Sequence, residues 1–320
     1  MSSTFTRRTL LRLAGAATLS AAAAAAARAE GIAPGTTRMF AVTTPVHVRD
    51  VTLRVRDLAN MTGYYRLVLG LEVLSQSDEV VELGADGKLL LTLEKHADAA
   101  LEPRTAAGLY HTAFLMPSRE DLARWLVHAA AVQAPITGFA DHLVSEAIYL
   151  DDPEGNGIEV YSDRPESGWL WVAGRVAMGS EPLDIDGILA LANTERDEYM
   201  AAPAGLCVGH IHLRAGNIDA ATAFYGAALG LDVTSARADA VFLSSGRYHH
   251  HVALNTWESR GAGQRDATTT GLARFSLTLA DADLLASRRE QLGAAGHAAR
   301  EIDGGIAIID PWGTEVRLVV

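Results

Sequence analysis

The 320-residue chain has a single cysteine, Cys207, so it can build neither an internal disulfide framework nor a cysteine-rich metal site. Basic charge is also short: 27 Lys and Arg stand against 39 Asp and Glu, a formal charge of -12. That sign repels phosphate backbones and anionic lipid, which argues against nucleic-acid and membrane-surface partners. No phosphate loop or dinucleotide fingerprint occurs, and Gly155 and Gly157 read as turn formers. Low-complexity sequence is confined to the first thirty residues. Hydrophobic residues make up 49%, so wholesale disorder is excluded and packed cores are expected at two-domain length.

The first residues read as an address. Arg7-Arg8 precede a weakly apolar, alanine-dominated stretch, Leu10 to Ala27, which closes on the small-x-small pattern Ala27-Arg28-Ala29. Thr6 to Leu11 resembles the twin-arginine export signal of bacteria, which implies the twin-arginine export machinery as a partner and a periplasmic or secreted protein. Alanine-rich, glycine-interrupted sequence is a poor bilayer span, so no membrane association is expected once it is removed. Residues 1–29 are assigned to this signal and 30–45 to an N-terminal extension.

What remains repeats. Residues 48–73 align without a gap on 208–233, with nine identities that include Leu53/Leu213, Tyr65/Tyr225 and Gly70/Gly230. Gly108 to Pro117 echoes Gly271 to Ala280, and Asp152 to Asn156 echoes Asp310 to Thr314. Two homologous halves follow, 46–163 and 206–320, joined by a connector, 164–205. Each half divides again. Val51, Leu53 and Val55 alternate as in a strand, Asp57 to Leu69 has helical period, and three short apolar runs follow. The same order restarts at Leu109, with a helix predicted over Arg119–Ala131. The fold class is α+β, one strand–helix–three-strand unit written four times. A short helix, Ile185–Ala192, is expected in the connector, where Trp169 and Trp171 either roof a pocket or fill the gap between halves.

The helix endings Tyr64-Tyr65…Leu69-Gly70 and Phe224-Tyr225…Leu229-Gly230, with the closing strand from Asp152 to Glu159, resemble the vicinal oxygen chelate superfamily. Asp141 to Ser145 with Tyr149 and Glu159 is similar to the type I extradiol catechol dioxygenases within it. The resemblance implies βαβββ modules paired into cup-shaped mixed sheets, two domains in all, around a divalent metal. It implies a first-strand histidine from one module, and a first-strand histidine plus a last-strand glutamate from another. His111 and Glu159 match the two-ligand module, and His210 matches the one-ligand module. Asp50, Arg274 and Arg317 occupy the other ligand positions, and arginine has no lone pair to offer a cation. One metal centre per chain, assembled across the two halves, is therefore expected. It fails if the modules pair strictly first with second and third with fourth.

Two imidazoles and one carboxylate leave adjacent coordination positions open, the arrangement of non-heme Fe(II) oxygenases; Mn(II) or Zn(II) suits the same set. By the same resemblance His250 is the acid/base histidine, and His142 and Tyr149 face the substrate, an aromatic diol cleaved with O₂. Strand alternation would put His249 and His251 on the face opposite His250. His212 shares a strand face with His210 and is an alternative ligand. His47, His96, His128 and His297 read as surface residues, Tyr65 and Tyr225 as core. Cys207 has no base beside it in the sequence and reads as inert. Two rival functions are a glyoxalase-like lyase or isomerase, and a periplasmic binding or resistance protein for small aromatics. The chain is also a possible homo-oligomer.

Overall fold

The computed structural model describes residues 39–192 and 199–320. The expected export signal, and the extension up to residue 38, lie outside the described residues. The first module is β1 (Val46–Val55), α1 (Leu58–Leu69), β2 (Glu72–Gln76), β3 (Val80–Ala85) and β4 (Lys88–Lys95). Its helix starts where the Asp57 side chain accepts from Asn60 N and stops at Gly70, whose φ of 69° is left-handed. Leu58, Met61, Tyr65, Val68 and Leu69 form its buried stripe at helical spacing.

The second module is β5 (Gly108–Leu115), α2 (Arg119–Ala131), β6 (Ile136–Asp141), β7 (Ser145–Asp151) and β8 (Gly157–Asp163). A connector follows, with a small ribbon, β9 (Trp171–Val172) and β10 (Arg175–Val176), and one helix, α3 (Ile185–Leu189), shorter than the sequence suggests. The third module is β11 (Cys207–Arg214), a helical turn α4 (Ile218–Ala221) that continues as a π-helix over Thr222–Ala228, β12 (Asp232–Arg237), β13 (Ala240–Ser244) and β14 (Val252–Asn255). The fourth is β15 (Gly271–Leu279), α5 (Ala282–Ala294), β16 (Arg300–Ile302), β17 (Gly305–Ile309) and β18 (Glu315–Val319).

The modules pair crosswise. One eight-stranded sheet runs β16-β17-β18-β15-β1-β4-β3-β2 and joins the fourth module to the first. The other runs β12-β13-β14-β11-β5-β8-β7-β6 and joins the third to the second. Antiparallel seams hold them, β1 on β15 and β5 on β11, while the first and last strands of each module are parallel. The sequence halves and the sheets therefore cut the chain differently.

A core of buried side chains runs through both sheets and their helices, including Tyr65, Phe114, Trp125, Tyr225 and Phe275. The Tyr65 hydroxyl donates to Asp152 and the Tyr225 hydroxyl to Asp310, so each phenol ties a helix to the turn before a closing strand. Glu102, between the first two modules, accepts from Arg214 of β11 and Arg265, all three nearly inaccessible. The paired glycines at the start of β5 and β15 make room for it: a Cβ on Gly108 would fall 2.4 Å, and one on Gly271 3.0 Å, from its carboxylate.

Candidate metal centre

Strand register builds the centre. On β8, Glu159 lies opposite Ala113 of β5, and on β11 His210 lies opposite the same alanine. Paired residues share a face, so the carboxylate and the imidazole flank a small side chain that leaves space between them. His111, two residues before Ala113 on β5, points to that face as well. Gly209 precedes His210 at a register shift in β11. A Cβ there would lie 1.9 Å from the Tyr161 hydroxyl, so the phenol's path requires glycine.

The three side chains converge. Their ligand atoms all lie within 4.8 Å of one another, and this is the one such group among the described residues. Glu159 Oε2 is 2.9 Å from His111 Nε2 and 3.1 Å from His210 Nε2, and all three residues are buried. Only the His210 contact has hydrogen-bond geometry; His111 Nε2 and His210 Nδ1 are buried without a partner. Unpartnered buried nitrogens are costly and mark a place for a ligand. Burial alone would raise the Glu159 carboxyl, but His210 and His111 outweigh it and hold it well below the usual carboxylate range. Burial pushes His210 down to about 4. Ionised carboxylate and neutral imidazole are the forms that bind a cation, so the donors fit a divalent metal.

The cluster opens into a cavity of about 390 Å³ whose lining includes Tyr110, His142, Tyr149, Phe242, His250 and Trp257. His142 Nδ1 donates to the Gly179 carbonyl at 2.7 Å. A carbonyl only accepts, so in the neutral ring His142 Nε2 carries the lone pair and accepts from the Tyr149 hydroxyl at 2.5 Å. Burial, with Glu159 nearby, keeps the Tyr149 phenol well above its ordinary pKa. The loop holding His142 is clamped: Asp141 accepts from Leu143 N and from Arg164, and Arg164 also reaches the buried Glu146.

The histidine tract differs from expectation. β14 begins only at Val252, so Tyr248 to His251 form a loop and strand alternation does not govern them. His250 packs on His210 with ring centroids 4.1 Å apart, and burial, with His210 next, holds it well below the ordinary histidine range. His249 is not turned away. Its Nδ1 lies 2.8 Å from His250 Nδ1 and its Nε2 lies 2.9 Å from Asp163 Oδ1. His251 does leave the site: its Nε2 donates to the Ala41 carbonyl, and its Nδ1 faces the Ser244 hydroxyl and Ser245 N.

His212 lines the cavity, but the Asn255 amide donates to its Nε2 at 3.0 Å, and it is outside the three-residue cluster. Trp169 packs against Phe40, Tyr248 and His249, behind the histidine tract rather than over the cavity, and Trp171 stacks under Arg247. His96 is exposed; His47, His128 and His297 are half-buried and none lines the cavity. Cys207 lies by burial at a pKa near 12, a thiol held protonated. Gly157 is no turn: it begins β8, where a Cβ would strike the Tyr110 carbonyl.

On the other sheet the corresponding residues are each satisfied by other neighbours. Asp50 accepts from Ser276 and Arg49, Arg274 pairs with Glu94, and Arg317 pairs with Glu315.

The chain matches the family model described as Glyoxalase/Bleomycin resistance protein/Dioxygenase superfamily over residues 45–160 and 208–318. It is 38% identical over 285 residues to a catechol-2,3-dioxygenase of Bacillus subtilis (strain 168), covering 85% of this chain and 96% of that protein. Among solved structures, a candidate dioxygenase from Bacillus subtilis subsp. subtilis str. 168 superposes with a TM-score of 0.59 at 15% identity, over 86% of each chain. Glyoxalase I from Zea mays gives 0.54 at 15% identity, over 88% of this chain and 94% of that one.

Proposed function

Since this chain belongs to the glyoxalase/bleomycin resistance protein/dioxygenase superfamily, we propose that it is an extradiol dioxygenase that opens catechol or a substituted catechol with O₂, using Fe(II). The observation that carries the reading is one cavity holding the His111–Glu159–His210 cluster, His250 and the His142–Tyr149 pair together. A divalent metal bound by the three ligands supplies Lewis acidity to the diol and a route for electrons to O₂; the donor types also admit Mn(II) or Zn(II).

The protein's own groups do the rest. The cavity has room for a single substituted ring, with aromatic and imidazole side chains among its walls. The Tyr149 hydroxyl, its hydrogen directed to His142, sits beside the ligand set, where its oxygen can accept from a substrate hydroxyl. His250, neutral and packed on His210, takes a proton from a substrate hydroxyl and returns it during ring opening. A glyoxalase-like lyase would place a carboxylate on the last strand of both paired modules. Here β14 is Val252-Ala253-Leu254-Asn255 and has none, which favours the dioxygenase. A binding protein has no need of the complete cluster.

The same reading includes export: the Arg7-Arg8 segment sends the folded protein through the twin-arginine machinery to the periplasm. Cell fractionation checks this, since Arg7→Lys with Arg8→Lys should leave the protein in the cytoplasm.

Metal analysis of anaerobically purified protein, joined to oxygen uptake with catechol, tests the activity. Iron with catechol-dependent uptake is expected. Zinc or nickel without uptake would favour the lyase, and absence of metal the binding protein. His250→Ala should keep the metal and lose about 10²–10⁴-fold in turnover.

A further inference from the structure

A buried line of hydrogen bonds ends at His250, and its direction is fixed by chemistry. The Asp163 carboxylate accepts from His249 Nε2 at 2.9 Å, so that nitrogen carries a hydrogen. With the Nε2 hydrogen committed to Asp163, the neutral form of His249 has its lone pair on Nδ1, which faces His250 Nδ1 at 2.8 Å. The hydrogen between the rings therefore belongs to His250 Nδ1. His250 is left with a bare Nε2, and its ring lines the cavity.

The line is held at its base. Asp163 Oδ1 also accepts from the Tyr248 hydroxyl at 3.2 Å, and the Tyr248 hydroxyl lies 2.8 Å from the Tyr161 hydroxyl. The His249 ring is fully buried, with the Tyr248 ring centroid at 4.0 Å and Trp169 at 5.2 Å. A tautomer set this way persists because reversing it would point a hydrogen from His249 Nδ1 at His250 and leave Nε2 of His249 unable to donate to a carboxylate.

We propose that Asp163 and His249 are positioning residues that lock His250 in its Nδ1–H tautomer, so that its Nε2 lone pair meets the substrate hydroxyl. On transfer the substrate O–H bond breaks and an Nε2–H bond forms. The resulting imidazolium donates through Nδ1 to His249, which already donates to Asp163. His250 held in the opposite tautomer would present an N–H to the cavity and could not accept that proton. The proposal rests on the diol reading above for the substrate, but the tautomer itself belongs to the protein alone.

Nitrogen-15 NMR of histidine-labelled, metal-free protein reads the tautomer directly, with His250 assigned by its loss in His250→Ala. Wild type should show the Nδ1–H form. His249→Phe, which removes the acceptor, should shift His250 toward Nε2–H, whereas His249→Asn, which keeps an acceptor oxygen near the Nδ1 position, should preserve Nδ1–H. Asp163→Asn leaves the side-chain shape and should give a mixture. In the metal-loaded enzyme His249→Phe should lower kcat by about 10²-fold with KM little changed, and His249→Asn should recover much of it. An Nε2–H tautomer in wild type, or an unchanged tautomer in His249→Phe, overturns the proposal. If the tautomers behave as stated and catechol is not turned over, the line stands and the diol reading falls.

Discussion

Ala113 is the residue that sets the dimensions of the metal centre, because Glu159 and His210 both sit directly across from its methyl group. Ala113→Leu would place a branched side chain among the ligand atoms. The protein should fold with a cost of about 1–3 kcal/mol, as for other overpacked sites, and retain little metal by elemental analysis. Glu159→Ala removes the only carboxylate of the cluster and should abolish metal retention while leaving the sheets intact by circular dichroism. If Glu159→Ala purifies with wild-type metal content, the cluster is not where the ion binds. The convergence of His111, Glu159 and His210 was expected from the family resemblance, matched position by position along the repeat. The placement of His249 beside His250 was not. It depends on where β13 ends and β14 begins, and the glycine-containing turn at Ser245 to Arg247 takes the tract out of strand geometry.

At the scale of elements, strand and helix order was legible because each module repeats one hydrophobic pattern with a punctuating Gly70 or Gly230. The predicted helix Arg119–Ala131 has the bounds observed, with Ser118 accepting from Asp121 N as its cap. The connector was less legible. Its ribbon strands have two residues each, too short for any period to register. Gly209 is equally silent in the sequence, since its need arises from a tyrosine on another module. Gly209→Ala should cost about 1–3 kcal/mol in urea denaturation as Tyr161 is displaced, and adding Tyr161→Phe should recover part of that loss. Equal loss in the single and double variants would mean that the strand, and not the phenol, resists the methyl.

For the whole molecule, Glu102 is the tie between its parts. Removing it by Glu102→Ala leaves Arg214 and Arg265 buried without their shared carboxylate, and the unfolding free energy should fall by about 3–5 kcal/mol. Acid should weaken the protein through its buried histidines. Burial pushes His251 from 6.5 down to about 3, and both its nitrogens already serve neutral partners. Between those values the unfolded chain binds a proton that the folded chain does not. Stability is therefore complete above the unfolded value and is lost as pH falls through the window, by at most about 1.4 kcal/mol per unit for each such group. Thermal unfolding of chelator-treated protein at about pH 7.5 and about pH 5 measures it, and His251→Gln should flatten the difference. The crosswise pairing of modules was legible only through chemistry: alternation and period say nothing about which module meets which, but no adjacent pair in sequence contains all three ligands except the middle two.

That crosswise pairing means a cut in the connector would not yield one working half and one idle half. The fragment ending at Asp163 would keep two of the donors and the fragment beginning at Cys207 the third, each with two bare seam strands where the other belongs. The candidate metal cluster belongs to the midpoint of the chain, and the two outermost modules, whose corresponding residues are paired elsewhere, close on each other as a brace.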